Sequence, residues 1–373
     1  MSKTLAKIKL LAEHHWWIAP LAMFLFWRIG LELVGRVTLA GDWPIPTPWP
    51  ADTNPPLWAR WDTGWMASIL NYGYTIRPGQ MSNVAFFPLY PLLWAGVKWL
   101  SGTSRLMAGV LTANLMACLA ILVFYRLAFV SYGVRVADRA TAALLAFPTS
   151  FFLIAAYSES TFLFFISLCL LLAIRGRFGW AALAAGATSA TRHIGILLWP
   201  ILFWLWSAAP TFRKLRHWLP LIILPPLGLV LFSIYLGQTT GEPLAWFTAH
   251  AAWGRHFALP FKTIYSYTNS IWHRDELAGR YAAELASLAF ALVLLPRVWK
   301  LSKVYAGLVV LALIPMLLSD TFVSLRRLVL VLPPLFVAMG TIEKRWLFIT
   351  YLLACIPLLA LSIGLFVTWQ WAG

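Results

Sequence analysis

The chain has 373 residues and a formal net charge of +16; 61% of its residues are hydrophobic and only 11% are charged. Soluble domains average about 45–50% apolar and about 25% charged residues, so a water-soluble fold is excluded because the chain lacks the polar surface to cover such a core. We therefore expect an all-α polytopic membrane protein, with lipid as the solvent for much of the chain. The basic residues form short clusters between apolar runs, which is typical of cytoplasmic loops and argues against a nucleic-acid partner.

The N-terminal segment predicts how the chain enters the membrane. Lys3, Lys7 and Lys9 place the N-terminus in the cytoplasm, because basic residues of short loops are retained there. The apolar run that follows is too long for a signal-peptide core, so we interpret it as a retained first transmembrane helix. About eleven crossings are predicted, at about 16–38, 105–126, 138–156, 158–174, two short crossings within 178–207, then 217–236, 281–296, 304–318, 328–341 and 346–368.

The stretch 178–207 is predicted to cross the membrane twice. Basic residues flank it on both sides, Arg177 before it and Arg213 after it, and a single crossing would place one of these clusters outside. Two short helices that separate at Thr191-Arg192-His193 keep both clusters inside, and such broken helices occur where they line a protein cavity. With this number of crossings, the long loops at about 40–104 and 238–280 are non-cytoplasmic. The chain is predicted to form one domain over residues 1–373.

Aromatic residues dominate the start of the first external loop. Trp58, Trp61, Trp65, Ile69 and Tyr72 recur at spacings of three and four residues and would share one face of a helix. This pattern predicts an amphipathic helix that lies in the membrane interface.

Asp62 lies beside that aromatic face, just beyond the first transmembrane helix. It is compatible with an acid at a helix N-terminus or with a surface ion pair to Arg60. It is also compatible with a general base at the membrane surface, which would take a proton from a hydroxyl group.

A second acid, Glu159, follows Tyr157 and Ser158 at the turn between the third and fourth predicted helices. A carboxylate at such a turn is costly unless it is solvated or paired. Capping of the fourth helix and a role in a substrate pocket are both open interpretations.

Cations cluster at the external turns. Arg192 and His193 lie at one turn and Arg326 and Arg327 at another, and His250 and Arg255 occupy the second long loop. Any single arginine could be a snorkelling side chain. Several on one face indicate a pocket for an anion, and phosphate is the natural choice because a guanidinium group binds it through two parallel hydrogen bonds.

At this point the motifs resemble the PIG-V-like family, the second mannosyltransferase of glycosylphosphatidylinositol-anchor synthesis. The resemblance spans about residues 16–345. The segments that carry it are Trp61-Asp62 with Gly73-Tyr74, Phe86-Phe87-Pro88-Leu89-Tyr90-Pro91, Pro148-Thr149-Ser150-Phe151-Phe152, Ala156-Tyr157-Ser158-Glu159-Ser160, Ala190-Thr191-Arg192-His193-Ile194-Gly195, Pro243-Leu244-Ala245-Trp246, Trp253-Gly254-Arg255 and Arg326-Arg327-Leu328 with Pro333. The chain is compact with short loops, and in this it resembles a prokaryotic relative in the plasma membrane of a bacterium or archaeon.

The resemblance implies a GT-C-type bundle of about eleven transmembrane helices with amphipathic helices in the first external loop. It implies a glycosyltransferase that takes a sugar, mannose in that family, from a polyprenyl-phosphate donor and transfers it with inversion to a hydroxyl group of a glycolipid or glycoprotein on the outer face. By this resemblance Asp62 is the base. External cations would stabilise the departing lipid phosphate, and Arg192, Arg326 and Arg327 are the first candidates to bind it, with Arg255 as the next candidate. Trp61, Tyr157, Glu159, His193 and His250 would line the substrate pocket.

No cofactor is expected. The three cysteines, Cys118, Cys169 and Cys355, lie within apolar runs at no metal-like spacing. Glu159 could bind a divalent cation, but metal dependence is not predicted.

Two other functions remain open. A transporter or flippase of lipid-linked sugars would need charges along a path through the middle of the membrane, whereas the polar groups here cluster on one face. A non-catalytic assembly protein would not need an aspartate beside a basic pocket.

Overall fold

The computed structural model describes residues 15–41, 55–77, 79–208 and 218–372. Within these ranges the protein is helical, and a single isolated pair of bridged residues, Phe257 and Ser319, is its one β contact. The α-helices, in chain order, are α1 Ile18–Leu39, α2 Thr63–Tyr72, α3 Leu89–Ser101, α4 Arg105–Tyr132, α5 Val134–Ala146, α6 Glu159–Ile174, α7 Phe178–Thr191, α8 Leu198–Ser207, α9 Trp218–Thr240, α10 Ala245–Ala252, α11 Pro260–His273, α12 Ala278–Leu301, α13 Lys303–Leu317, α14 Leu325–Leu330, α15 Pro333–Gly340 and α16 Arg345–Val367.

Among the described residues, five helices are long and apolar enough to cross a membrane: α1, α4, α9, α12 and α16. Three shorter apolar segments, Glu159–Ile174, His193–Ser207 and Lys303–Leu317, accompany them. These helices indicate a multi-pass membrane protein. The predicted total of about eleven crossings and the predicted orientation stay predictions, and the basic clusters at Lys3–Lys9 and Arg213–Arg216 lie outside the described residues.

The order of the helices brings alternate connections to the same end of the bundle. Helix α4 packs against both α5 and α6, and α6 packs against α7. Because consecutive helices joined by short turns run antiparallel, the end of α5, the start of α6 and the end of α7 meet at one end. This end carries Asp62, Glu159 and Arg192, and we call it the site end.

Helices α7 and α9 are in backbone contact. A Cβ atom on Gly186 would lie 2.4 Å from the carbonyl oxygen of Leu224, and one on Gly228 would lie 2.3 Å from the carbonyl oxygen of Gly186. Small residues allow such an approach in membrane helices, where dispersion contacts supply much of the association energy. The hydroxyl of Ser189 also donates to the carbonyl of Pro225 (2.8 Å), inside a helix that two prolines deprive of regular hydrogen bonds.

The predicted split of 178–207 is confirmed. Helix α7 ends at Thr191, Arg192 adopts an extended backbone conformation, and a short 3₁₀-helix, His193–Leu197, leads into α8. A Cβ atom on Gly195 would lie 2.4 Å from the backbone of Thr188, so the chain can fold back on itself here only because this residue is glycine.

Two predicted helices are broken in the structure, and this corrects their bounds. The predicted helix 138–156 ends at Ala146, and the 3₁₀-helix Ser150–Leu153 follows. The predicted helix 328–341 is divided into α14 and α15. Both breaks precede a proline, Pro148 and Pro333, whose ring disfavours the helical conformation of the residue before it.

The aromatic helix of the first external loop is shorter than predicted. Helix α2 begins at Thr63, so Trp58 and Trp61 precede it, and Trp61 has a left-handed backbone conformation (φ 50°). Trp58 is buried, and its indole N–H donates to Glu32 of α1 (2.9 Å). The predicted shared face of Trp58, Trp61 and Trp65 is therefore wrong, since a left-handed residue interrupts the helical spacing.

Candidate functional site

Four short contacts fasten the Trp58–Thr63 segment to the turn that precedes α6. The Ala156 N–H donates to the carbonyl of Trp58 (2.9 Å), and the Thr63 hydroxyl donates to the carbonyl of Ala156 (3.4 Å). The Tyr157 hydroxyl accepts from the Asp62 N–H (3.1 Å) and donates to the carbonyl of Arg60 (3.1 Å). Asp62 is thereby held at the N-terminus of α2, where the helix dipole favours a negative charge.

Arg327 is the centre of a charged network at the site end. Its Nη1 donates to Oδ2 of Asp62 (2.8 Å), and its Nε donates to Oε1 of Glu159 (2.6 Å). The same Glu159 oxygen accepts from Nη2 of Arg192 (2.9 Å). Two carboxylates from distant parts of the chain therefore share one guanidinium group, and a second guanidinium group extends the network. We call Asp62, Glu159, Arg192 and Arg327 the charged network.

The charged network is largely removed from solvent. The Glu159 side chain is fully buried, that of Arg327 is 5% exposed and that of Asp62 is 10% exposed, whereas that of Arg192 is 23% exposed. The Arg327 guanidinium also lies over the rings of Tyr157 (4.7 Å) and Phe152 (4.9 Å), where cation–π attraction compensates part of its lost hydration. Charges this deep are stable only because they are paired.

Two acceptor oxygens in the charged network have no hydrogen bond from the described part of the chain. Oε2 of Glu159 is buried and unpartnered. Asp62 uses Oδ2 for Arg327, and none of the described residues donates to its Oδ1. The free Oδ1 leaves Asp62 able to receive a proton from a bound hydroxyl group.

The ionisation of the surrounding groups follows from burial and charge. Burial opposes the charge on Arg327, but the carboxylates of Glu159 and Asp62 outweigh this effect and raise its pKa. Burial and then the Asp62 carboxylate raise the pKa of the Tyr157 hydroxyl well above its usual value, so Tyr157 is neutral. Burial and then the Arg255 charge lower the pKa of His250 to about 4.

Arg255 lies next to the charged network without an ion pair. Its guanidinium donates to the carbonyl of Val323 (3.0 Å) and contacts the Met316 sulfur (3.5 Å), and no carboxylate of the described residues lies within 4 Å of it. Burial and then the charges of Arg327 and Arg192 lower its pKa, which places the three cations in one electrostatic field. Three guanidinium groups against two carboxylates leave one positive charge.

Two of the predicted site residues, His193 and His250, form a pair beside this charge. Their ring centroids are 5.0 Å apart, and His193 stacks on Trp246 at 6.1 Å. Phe87 closes the group at 6.2 Å from His193. The rings form an aromatic wall contributed by the turn after α7, by α10 and by the first external loop.

Arg326 does not join the charged network. Its Nε lies 3.3 Å from Oε1 of Glu284, a fully buried carboxylate of α12. The two oxygens of Glu284 accept from the N–H groups of Ser324 (3.1 Å) and Arg326 (3.0 Å), so this acid caps the N-terminus of α14. Sequence reasoning missed Glu284, because an acid in the first turn of the predicted helix 281–296 gives no sign of its distant partner.

Arg60 and Trp61 face other partners. The predicted alternative of an Asp62–Arg60 pair is wrong: Arg60 donates to three backbone carbonyls of its own turn, those of Pro55, Pro56 and Ala59. The Trp61 ring packs against Trp369 (6.0 Å) and Trp371 (5.4 Å) beyond the end of α16. A cavity of about 800 Å³ opens here, and its lining includes Trp61 and Thr63 but not Asp62 itself.

Among the described residues, no group of three or more histidine, cysteine, aspartate or glutamate side chains is placed to hold a metal ion. Asp62 and Glu159 both direct an oxygen to Arg327.

Comparison with known proteins assigns no role to the residues of this site. No profile of a known protein family matches the chain, and no curated protein matches it. Among solved structures, the chain is similar to ArnT from Cupriavidus metallidurans bound to undecaprenyl phosphate, with 14% sequence identity and a TM-score of 0.48, over 93% of this chain and 76% of that chain. The chemistry of the site therefore has to be argued from its own residues.

Proposed function

We propose that the protein is a membrane glycosyltransferase that moves a sugar, mannose by the resemblance of its motifs, from a polyprenyl-phosphate donor to a hydroxyl acceptor on the non-cytoplasmic face, with Asp62 as the general base. The observation that carries the proposal is the arrangement of Asp62: Arg327 holds one of its oxygens, and none of the described residues donates to the other. A base needs such a free oxygen within hydrogen-bond reach of the proton it takes.

The reaction balances with this one carboxylate. The acceptor O–H gives its proton to Oδ1 of Asp62 while its oxygen bonds to the anomeric carbon of the donor sugar. The bond from that carbon to the phosphate oxygen breaks, and polyprenyl phosphate departs with the electron pair. Because attack and departure occur on opposite faces, the configuration inverts. Phosphate leaves without protonation, so the second carboxylate that a glycosidase uses as an acid is not required.

The charge of the site suits this donor. A sugar phosphodiester carries one negative charge, which matches the excess positive charge of Arg192, Arg255 and Arg327 over Asp62 and Glu159. The leaving phosphate gains a second charge, and preorganised cations that meet a developing charge lower the barrier. We assign donor-phosphate binding to these three arginines, and to Arg326 a positioning role through its pair with Glu284. His193, His250 and Tyr157 would contact the sugar or the acceptor.

The test uses the purified full-length chain in lipid nanodiscs with a polyprenyl-phosphate mannose. We expect release of polyprenyl phosphate as the sugar is transferred to acceptors in a membrane lipid extract or to water. In Asp62→Asn the rate of this release should fall at least about a hundredfold, the lower end of what a general base contributes. The matched control is Asp275→Asn, which neutralises an exposed acid of the second external loop. Its rate of polyprenyl phosphate release should equal that of the unmodified chain.

Thermal unfolding must show that Asp62→Asn is folded. Undiminished turnover in that folded variant contradicts the assignment of Asp62. Movement of the intact donor across the bilayer without release of polyprenyl phosphate would instead favour a transporter.

A further inference from the structure

The cavity of about 800 Å³ beside α2 has no role in the reaction as described so far. Three arginines, Arg60, Arg77 and Arg105, belong to its lining, and the described residues that line it include no aspartate or glutamate. Arg60 and Arg77 come from the first external loop, and Arg105 is the first residue of α4. A pocket of this volume is large enough for a small organic ligand.

Arg60 is a buried cation without an anionic partner among the described residues; the Trp369 ring, 5.0 Å from its guanidinium, compensates only part of its lost hydration. Arg60 is 5% exposed, and no carboxylate of the described residues lies within 4 Å of its guanidinium. Its Nη1 donates to the carbonyls of Pro55 (3.3 Å), Pro56 (2.7 Å) and Ala59 (3.1 Å), which explains how it fastens the turn. Dipoles of carbonyl groups do not neutralise a full charge, and a buried charge without a partner is costly.

Two buried donors in the cavity lining also lack acceptors. The Nε–H of Arg60 and the indole N–H of Trp61 have no hydrogen-bond partner among the residues that the structure describes. Buried donors of native proteins are nearly always satisfied by protein, water or ligand. A ligand that brings acceptor oxygens would satisfy both groups together with the charge.

The remaining lining indicates what the ligand carries besides its negative charge. Helix α2 turns Gly64, Ser68 and Asn71 towards the cavity at spacings of four and three residues, and Trp65 and Trp369 add aromatic surface. Hydroxyl and amide groups beside indole rings suit a hydroxylated organic group. Guanidinium groups bind phosphate through paired hydrogen bonds and are the preferred phosphate ligands of proteins.

We propose that this cavity binds a phosphate ester that carries a hydroxylated headgroup, and that it holds the acceptor substrate. The binding site stands on the cavity, its three arginines and its unsatisfied donors; the role as acceptor site rests on the proposed function. Trp61 and Thr63 line the cavity and flank Asp62, so a headgroup bound here lies against the same short segment that holds the base.

The test measures binding by the full-length chain in a neutral detergent, with no sugar donor present. Dioctanoyl phosphatidylglycerol, a phosphodiester with free hydroxyls, should bind more tightly than dioctanoyl phosphatidylcholine, whose headgroup is neutral overall. The double variant Arg77→Gln/Arg105→Gln should weaken phosphatidylglycerol binding about tenfold or more, because two charge-assisted contacts are removed. Both side chains are exposed, so the fold should tolerate the change.

The matched control is Arg36→Gln/Lys98→Gln, which removes two exposed cations outside the cavity lining and should leave binding unchanged. Equal affinity for the two lipids, or an equal loss in both double variants, would overturn the proposal. Competition by glycerol 3-phosphate supports a water-soluble phosphate ester as ligand, and binding that glycerol 3-phosphate does not displace supports a lipid headgroup. Since no donor is present, a negative result here leaves the proposed reaction standing, and failure of donor turnover leaves the cavity standing.

Discussion

Arg327 is the residue on which the charged network depends. It serves a fully buried glutamate and a nearly buried aspartate at once. Removal of one partner from a buried ion pair costs about 3–5 kcal/mol, because the remaining charge stays buried and uncompensated. We therefore expect Arg327→Gln to lower the free energy of unfolding by at least this amount and to abolish turnover. Thermal unfolding of the purified variant measures the first effect.

A surface pair in the same protein is the control for this prediction. Arg36 pairs with Glu32 at 2.8 Å, but its side chain is 74% exposed. Exposed ion pairs contribute about 0–1 kcal/mol, so Arg36→Gln should hardly change the unfolding temperature. Equal losses in the two variants would show that burial does not determine the strength of the Arg327 network.

His250 makes the stability depend on pH in a defined direction. Its pKa is lowered to about 4 by burial and then by Arg255, below the usual value of about 6.5. Between these two values the unfolded chain binds more protons than the folded chain, so stability falls as the pH falls through this window. We expect His250 to contribute about 1–2 kcal/mol to the loss of stability between pH 7 and pH 5, measured by thermal unfolding at each pH.

His250→Gln should reduce the slope of stability against pH in that window. Part of the slope should remain, because His193 faces the same group of rings. An unchanged slope in the variant would show that His250 is protonated equally in the folded and unfolded chains.

At the residue scale, the sequence identifies which residues belong to the site, but it does not identify which of them pair with each other. Asp62, Glu159, Arg192 and Arg327 are all expected from the motifs, and the structure brings them together. The pairing itself is not visible in the sequence: Arg60, two positions from Asp62, is the near candidate, whereas the observed partner is 265 positions away. Only the packing of the helices determines which cation reaches which acid.

At the scale of helices, the contact of α7 with α9 predicts that glycine-to-alanine substitutions change the stability in opposite directions at different positions. Gly228→Ala places a Cβ atom 2.3 Å from a backbone oxygen of α7, and backbone atoms cannot move aside as a flexible side chain can. We expect a loss of about 1–3 kcal/mol from this overpacking. The change in unfolding temperature is the measurement.

Gly30→Ala is the matched control within α1. A Cβ atom there meets nothing within 4 Å, and alanine favours a helix over glycine by about 1 kcal/mol. The control should be neutral or stabilising. An equal loss of stability in both variants would mean that the loss does not come from the α7–α9 contact.

Helix breaks differ in how far the sequence reveals them. The break at Thr191–His193 is predicted from charge, because only two crossings keep both flanking basic clusters on one side. The break at Pro148 lies in an apolar run without such charges, and hydropathy alone joins it into one helix. The residue before the proline carries the missing information, since Phe147 is extended (ψ 137°) where a helix would have continued.

At the scale of the whole molecule, polar groups of different kinds meet at the two ends of the bundle. The site end holds the charged network. At the opposite end Arg297, of α12, donates to both oxygens of Thr341, which follows α15, at 2.9 Å. Exposed basic residues collect at this opposite end, at Arg135, Arg175, Lys300 and Lys344. Basic residues of short loops stay in the cytoplasm, so the opposite end is predicted to be cytoplasmic and the site end to face outwards.

Cysteine labelling in intact cells or spheroplasts tests this orientation. The native cysteines are buried or half-buried, so the unmodified chain should react little with a membrane-impermeant maleimide and serves as the background. Asp275→Cys, on an exposed segment at the site end, should react from outside. Arg175→Cys, on the exposed turn between α6 and α7, should react only after the membrane is opened by detergent. Labelling of Arg175→Cys alone from outside would invert the orientation, and with it the face on which donor and acceptor have to meet.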